Sequence, residues 1–352
     1  LQGDAAQAAL DYWKRQLADA APFLDLPTDH ARPSVQTFQG AAQSFALSRE
    51  LADGLQALAR EEEATLFMVL LAAFGVLLYR YTGQEDVSIG APIANRNRAE
   101  IEGLIGFFVN TFVIRALMAD DLSFRQLLAQ VRETTLGAYA HQNLPFEKLV
   151  EELQPQRDLS RPPLFQVMFV FQNAPGVSER LSGLSMAPLD IEIETAKFDL
   201  TLYMAETDAG LRASLGYNRA LFDAATIVRM TQHFQTLLEN AIADPDQRLA
   251  EMRLLTDAEW RQWVETWNET RVDRASQPCI HQRFETHAAQ RPEAIAVVCQ
   301  DHTLTYGELN RRANRVAHYL QKLGVGPETL VGVCMARSWE IVVGILGILK
   351  AG

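Results

Sequence analysis

The sequence is short of cysteine, short of positive charge and without a long apolar stretch, and each shortage removes a class of protein. Cys279, Cys299 and Cys334 are the only cysteines in 352 residues, and no CxxC spacing occurs. A disulfide framework is therefore not expected, and the apolar neighbours of each thiol suggest reduced core cysteines in a cytoplasmic setting. Asp and Glu (44) outnumber Lys and Arg (32), giving a formal charge of -12. Nucleic acid and anionic membrane surfaces both reward a basic patch, so neither is expected as a partner. The longest apolar run, Leu66 to Tyr79, is about 14 residues, short of the ~20 that a bilayer crossing needs. No charged segment followed by an apolar stretch opens the chain, so a signal peptide is not expected and the Asn268-Glu269-Thr270 sequon has no glycosylating context. Among seven histidines there is no HExxH or similar spacing, so no metal site is expected. A GxxxxGK[ST] phosphate loop is also missing.

What is present suits packed cores: 48% of the residues are hydrophobic, and the length implies two globular units, or one and part of another. Leu1 and Gly352 do not look like natural ends, so a fragment is expected. Ser48 is placed to cap a helix whose Leu51, Leu55 and Leu58 share a face, and the run 66–79 reads as a core helix buried all round, stopped by Gly83. "DVSIGAPI" (86–93) follows as a strand. Ser123 opens a further helix with Phe124, Leu127, Leu128, Val131 and Tyr139 on one stripe, and it delivers the chain to His141. The segments 164–173, 189–195, 198–206 and 210–218 have strand character and should pair as antiparallel neighbours. Asp223 should cap the helix carrying Ile227, Met230, Phe234, Leu237 and Leu238, and the first unit closes near Leu255. Residues 256–278 read as a short helix and a linker, in which Trp260, Trp263 and Trp267 would be costly left in water. A fresh alternation then begins: helix 280–290, strands "AIAVVC" and "LTY", helix 307–323 ended by Gly324, strand "LVGVCM" (330–335) and helix 338–350. This order suggests the opening of an α/β domain.

Candidate chemistry centres on three stretches. In "HQNLPFEKL" (141–149), His141 can be drawn as a base with Glu147, Asp158 or Ser160, or as a hydrogen-bonding partner at a helix C-terminus. In "RDLSRPPL" (157–164), Arg157, Asp158 and Arg161 suit a salt-bridged loop before a strand. In "IGFFVNTFVIR" (105–115), Asn110 and Thr111 interrupt an apolar strand. A buried polar pair must find partners, so their role is either structural or within a site, and the residues alone leave this open.

Taken in order, "IGFFVNTFVIR", "HQNLPFE" and "RDLSRPPL" resemble the last three core motifs of the condensation domain of nonribosomal peptide synthetases. "YWKRQL", "YRYTGQEDVSIGAPIANRNRAEIEGLIG" and "PLFQVMFVFQN" are similar to further stretches of that family. The second unit resembles the start of an adenylation domain, through "CIHQRFETHAAQRPEAIAVV", "LTYGELN" and "ILKAG". Asn143 stands where aspartate is more usual, and Pro162 where asparagine is.

The resemblance implies an α/β fold like chloramphenicol acetyltransferase, a mixed sheet with packed helices, followed by the incomplete N-terminal part of an adenylate-forming domain. Residues 1–255 would hold the end of the first condensation lobe and the whole second lobe, 256–278 the linker, and 279–352 the start of the adenylation domain. The family's catalytic histidine belongs to an HHxxxDG motif, and no His-His pair occurs here. His141 then looks like framework. Asn110, Thr111, Arg115, His141, Gln142, Asn143, Arg157, Asp158 and Arg161 are the candidates for lining or bracing the substrate tunnel. The implied cofactors lie elsewhere: phosphopantetheine on partner carrier domains, and ATP and magnesium for a complete adenylation domain. The implied partners are those carrier domains, the remaining condensation lobe and the rest of the adenylation domain. Isolated, the fragment is expected to be inactive. Two alternatives are a docking or scaffold piece and a standalone acyltransferase using His141.

Overall fold

The computed structural model describes residues 3–96, 99–155, 158–172, 194–270 and 278–352, in two compact units, Leu1–Thr266 and Trp267–Gly352. In the first unit the order is α1 (Asp4–Gln16), β1 (Gly40–Ser48), α2 (Arg49–Glu61), α3 (Leu66–Thr82), β2 (Asp86–Ile93), α4 (Ala99–Glu102), β3 (Asn110–Leu117), α5 (Phe124–Ala140), α6 (Phe146–Leu153), β4 (Val167–Gln172), β5 (Leu200–Thr207), β6 (Gly210–Asn218), α7 (Ala224–Ala243) and α8 (Asp257–Trp260). A π-helical turn, Arg261–Thr266, continues α8.

Local chemistry sets the helix ends. Ser48 and Ser123 accept backbone N–H groups at the starts of α2 and α5, and Gly83 closes α3 at a left-handed φ of 69°. Met68 to Tyr79 of α3 are buried without a break. The helix packs against α5 and α7, and Phe74 lies edge-on to Phe234 of α7. No single helix is long and apolar enough to cross a membrane among the described residues.

The strands form one six-stranded mixed sheet in the order β1-β6-β5-β4-β2-β3. β5 and β6 are antiparallel neighbours, as their alternation implies, but β4 runs parallel to both β5 and β2. The expectation of antiparallel pairing fails there because the long connection between β4 and β5 permits a crossover that a tight turn would forbid. Of the expected strand at 189–195, residues 189–193 lie outside the described residues. β1 was not foreseen: "GAAQSFALS" is built of small residues whose hydropathy hides the alternation, yet it pairs along its whole length with β6. Ser44, Arg212 and Tyr203 face away from the helices and reach solvent.

Between α1 and β1, residues 20–38 form neither helix nor strand. This strap is stitched down by groups from other parts of the unit. Asp86, Gln166 and Gln84 accept the N–H groups of Ala21, Leu24 and Asp25 at 2.9, 2.7 and 2.6 Å, and Leu159 O accepts that of Gln36 at 3.0 Å. Arg32 bonds both carboxylate oxygens of Asp199, which is 0% exposed.

Other expectations are corrected. Asp223 occupies the N-cap of α7, but its side chain makes no cap and instead meets His30 Nε2 at 3.0 Å. The thiols are free, as expected, but they are not core groups: Cys279 and Cys334 are exposed and Cys299 is half-buried, because each sits at an element end or in a loop. Trp260, Trp263 and Trp267 retain exposures of 49%, 49% and 62%.

The second unit contains α9 (Ile280–Gln290), an antiparallel pair β7 (Ile295–Cys299) and β8 (His302–Thr305), α10 (Tyr306–Lys322) and α11 (Trp339–Ala351). Leu304, Leu309 and Val343 form its small buried cluster. Lys350, buried on α11, bonds Glu285 of α9 at 2.6 Å and Asn310 and Asn314 of α10 at 2.5 and 2.7 Å. The expected strand at 330–335 does not form: no described strand pairs with it, and Leu330 is fully exposed.

Candidate functional site

The loop from His141 to Pro145 joins α5 to α6, and the start of β3 lies beside it. Asn110 opens β3 and does not interrupt a longer strand. Residues 105–109 lie outside the strand, with Ile105 and Phe107 almost fully exposed, so the expected buried interruption becomes a half-buried strand end. The Asn110 amide is fully used. Its Nδ2 donates to the carbonyls of Gln142 and Leu144 at 2.7 and 2.8 Å, and its Oδ1 accepts the N–H of Phe146 at 3.1 Å. Pro145, at the N-cap of α6, has no side-chain donor or acceptor to offer. Asn110 therefore caps α6 from a different element while holding the preceding loop by two carbonyls.

Asn110, Thr111 and Asn143 line a cavity of about 290 Å³ together with Phe107, Pro145 and Glu147. Gln142 joins this group through its backbone. A larger hollow, of about 470 Å³, lies on the open sheet face beside Ser44, Tyr203, Arg212 and Ser214, which belong to none of the sequence motifs.

His141 is occupied on three sides. Its Nδ1 donates to Gly137 O at 2.9 Å, its ring stacks on Tyr12 at 4.1 Å, and its carbonyl accepts the Trp13 indole N–H at 3.2 Å. No hydrogen bond joins it to Glu147, Asp158 or Ser160 among the described residues. Its contacts dock α1 on the end of α5.

Arg115, on β3, also serves α1. It binds both Asp86 oxygens at 2.8 and 2.9 Å and donates to the carbonyls of Gln16 and Ala18 at 3.1 and 2.7 Å. Asp158 accepts Ser160 N–H at 2.8 Å, and hydrogen bonds from Ser160 hold its carboxyl below the usual range. The Arg161 guanidinium lies over Phe23 at 4.2 Å and only 3.9 Å from Asp158, so this motif closes on itself and on the strap. Arg157 lies outside the described residues. The two motif loops are linked by aromatic contact: Phe146 meets Phe165 at 5.5 Å in a tilted pair, and Phe165 stacks on Phe198 at 5.2 Å.

Sequence reasoning missed the Arg32–Asp199 pair and Asp86. Neither carries a local signal, because the partners of Arg32 and Arg115 are 167 and 29 residues away. Among the described residues, no cluster of three or more His, Cys, Asp or Glu could hold a metal ion.

Comparison with known proteins gives the family. Residues 1–264 match the condensation domain and 284–352 match the AMP-binding enzyme family. Over 100% of its length the chain is 51% identical to one of the linear gramicidin synthase proteins of Brevibacillus parabrevis and 49% identical to another. It spans 7% of the length of each of these two relatives. A solved four-domain nonribosomal peptide synthetase in its holo form, bound to AMP and glycine, is 28% identical over 99% of this chain and 27% of its own, with a TM-score of 0.80. The X-domain from teicoplanin biosynthesis is 26% identical over 72% of this chain and 58% of its own, at 0.67. The mixed sheet with packed helices is thus the chloramphenicol-acetyltransferase-like condensation fold, followed by the start of an AMP-binding domain, and the chain belongs to the condensation-domain family of nonribosomal peptide synthetases.

Proposed function

We propose that this chain supplies one wall of the passage in which a condensation domain joins two carrier-bound thioesters, and that the Asn110-braced loop forms that wall. The observation that carries the reading is the complete use of the Asn110 amide on residues 142, 144 and 146, beside a cavity that Asn110, Thr111 and Asn143 line. In the reaction, the acceptor amine attacks the donor thioester carbonyl, the amide C–N bond forms, the C–S bond breaks and the thiol takes a proton. Both acyl groups arrive on phosphopantetheine arms of carrier domains. Asn110 positions the loop, Asn143 and Thr111 face the passage, and Arg115, Asp158 and Arg161 brace the surrounding backbone.

His141 is framework in this reading, because its Nδ1, its ring face and its carbonyl tie Gly137, Tyr12 and Trp13 together and so dock α1 on α5. The proton-transfer histidine belongs to an HHxxxDG motif, which these residues do not contain. Losing a positioned acid–base group costs roughly 10²- to 10⁴-fold, so residues 1–352 alone do not condense thioesters. ATP and magnesium act in a complete adenylation domain, and residues 279–352 supply neither a phosphate loop nor a metal cluster. The division into 1–255, 256–278 and 279–352 follows the same reading, in a cytoplasmic enzyme.

Single-turnover peptide transfer in a synthetase carrying this chain tests the proposal. Asn110→Ala lowers transfer by roughly 10- to 100-fold, the loss expected when a positioning contact is removed. His141→Ala lowers it by less than about 10-fold, well under the loss of an acid–base group. Turnover by purified 1–352 that His141→Ala abolishes would instead establish a standalone acyltransferase.

A further inference from the structure

Away from the motif loops, a polar chain crosses three helices. Tyr81 in the last turn of α3, His233 on α7 and Glu259 on α8 stand in line. The Tyr81 hydroxyl lies 2.7 Å from His233 Nδ1, and Nε2 lies 3.0 and 3.1 Å from the two Glu259 oxygens. His233 is buried, and both of its ring nitrogens are accounted for. A neutral ring accepts from the tyrosine and donates to the carboxylate. A charged ring donates at both ends, with the phenol oxygen accepting. The line has the shape of a nucleophile relay, but burial pushes the Tyr81 phenol up to about 12, opposite to activation.

Glu259 has a second task. Its Oε2 accepts both the N–H and the hydroxyl of Thr256, at 2.9 and 2.8 Å, while Thr256 Oγ1 accepts Glu259 N–H at 3.2 Å. Burial pushes this carboxyl up, but the Thr256 bonds and His233 together outweigh it and hold the group below its usual range. The same carboxylate thus caps α8 and ties it to the body of the unit.

That tie matters because the Thr256 cap and the ion pair of Asp257 with Arg253 hold α8 only to the segment just before it. The helix is four residues long, continues into the π-helical turn, and neither segment contains a buried residue. Glu259 is the one position in 257–266 that is not exposed. A helix this short has no stability of its own in water. We propose that Tyr81, His233 and Glu259 form a latch that seats α8 on α3 and α7, and so sets the point and direction from which the chain leaves the first unit. The preceding segment is pinned separately. Arg80 Nη1 donates to the carbonyls of Leu249 and Met252 at 3.0 and 2.6 Å, and Asn240 donates to Arg253 O at 3.3 Å. Opening the latch therefore releases α8 from α3 and α7, while the segment up to Arg253 stays in place.

Hydrogen exchange on the full 352-residue chain tests this, read at the amides of Glu259, Trp260 and Arg261. His233→Phe accelerates their exchange by roughly 10- to 100-fold, the range for losing a hydrogen bond to a charged group, while α5 amides keep their rates. Tyr81→Phe acts in the same direction by a smaller factor, and it carries the test if His233→Phe does not fold. His233→Gln, whose amide can reach both neighbours, restores most of the protection. Wild-type exchange at these amides as fast as in an unfolded peptide would overturn the latch. So would acceleration of α3, α7 and α8 together, or no change in any variant.

Discussion

Individual side chains here succeed or fail by how completely their partners are supplied. Gly90 on β2 shows the steric side: a Cβ there would lie 2.1 Å from the Phe165 ring, which is buried between Phe146 and Phe198. Gly90→Ala should cost about 1–3 kcal/mol, as overpacked cores do, and a lowered denaturant midpoint at unchanged slope would show it. Tyr79 shows the electrostatic side. Its hydrogen bond to Asp120, with burial adding to it, pushes the phenol up to about 12. The folded state favours the protonated phenol, so this contribution is complete below the ordinary tyrosine pKa near ~10 and is lost as pH rises through about 12. Stability should fall across that alkaline window, and Tyr79→Phe should flatten part of the fall when unfolding midpoints are compared. The motif residues were visible in the sequence, and so were the local partners of Asp158 and His141, but the distant partners were not. Asn110 could be seen to need hydrogen bonds, yet nothing local shows that these lie 32 to 36 residues ahead.

At the level of helices and strands, legibility followed the range of the forces. Ser48, Ser123 and Gly83 act within a few residues of themselves, and their helix ends were readable. Buried α3 was readable from its unbroken apolar run. β1 was not, because small residues carry little hydropathy contrast, and the direction of β4 was not, because pairing across a long connection leaves no local trace. Ser123 and Asp223 make the contrast testable. Ser123 accepts Gln126 N–H at 3.3 Å, so Ser123→Ala should cost about 1 kcal/mol. Asp223 makes no cap, and its pair with His30 is exposed, so Asp223→Ala should cost no more than about 0.5 kcal/mol. Equal losses in urea melts would contradict the distinction.

Over the whole molecule, the two units differ in how much core they bury. The first unit packs α2, α3, α5 and α7 against its sheet around a large core, while the second relies on a small cluster around Leu304, Leu309 and Val343. Calorimetry should resolve a lower transition for the second unit. Lys350→Ala leaves Glu285, Asn310 and Asn314 without their shared donor, and should lower that transition alone, by about 1–3 kcal/mol.

The strap has a mechanical consequence. A tug on the chain at α1 does not reach β1 directly, because residues 20–38 are fastened at Ala21, Leu24, Asp25, Arg32 and Gln36 to separate parts of the unit. Tension entering from that side is shared among these anchors, and the strap gives way one fastening at a time before β1 feels the load.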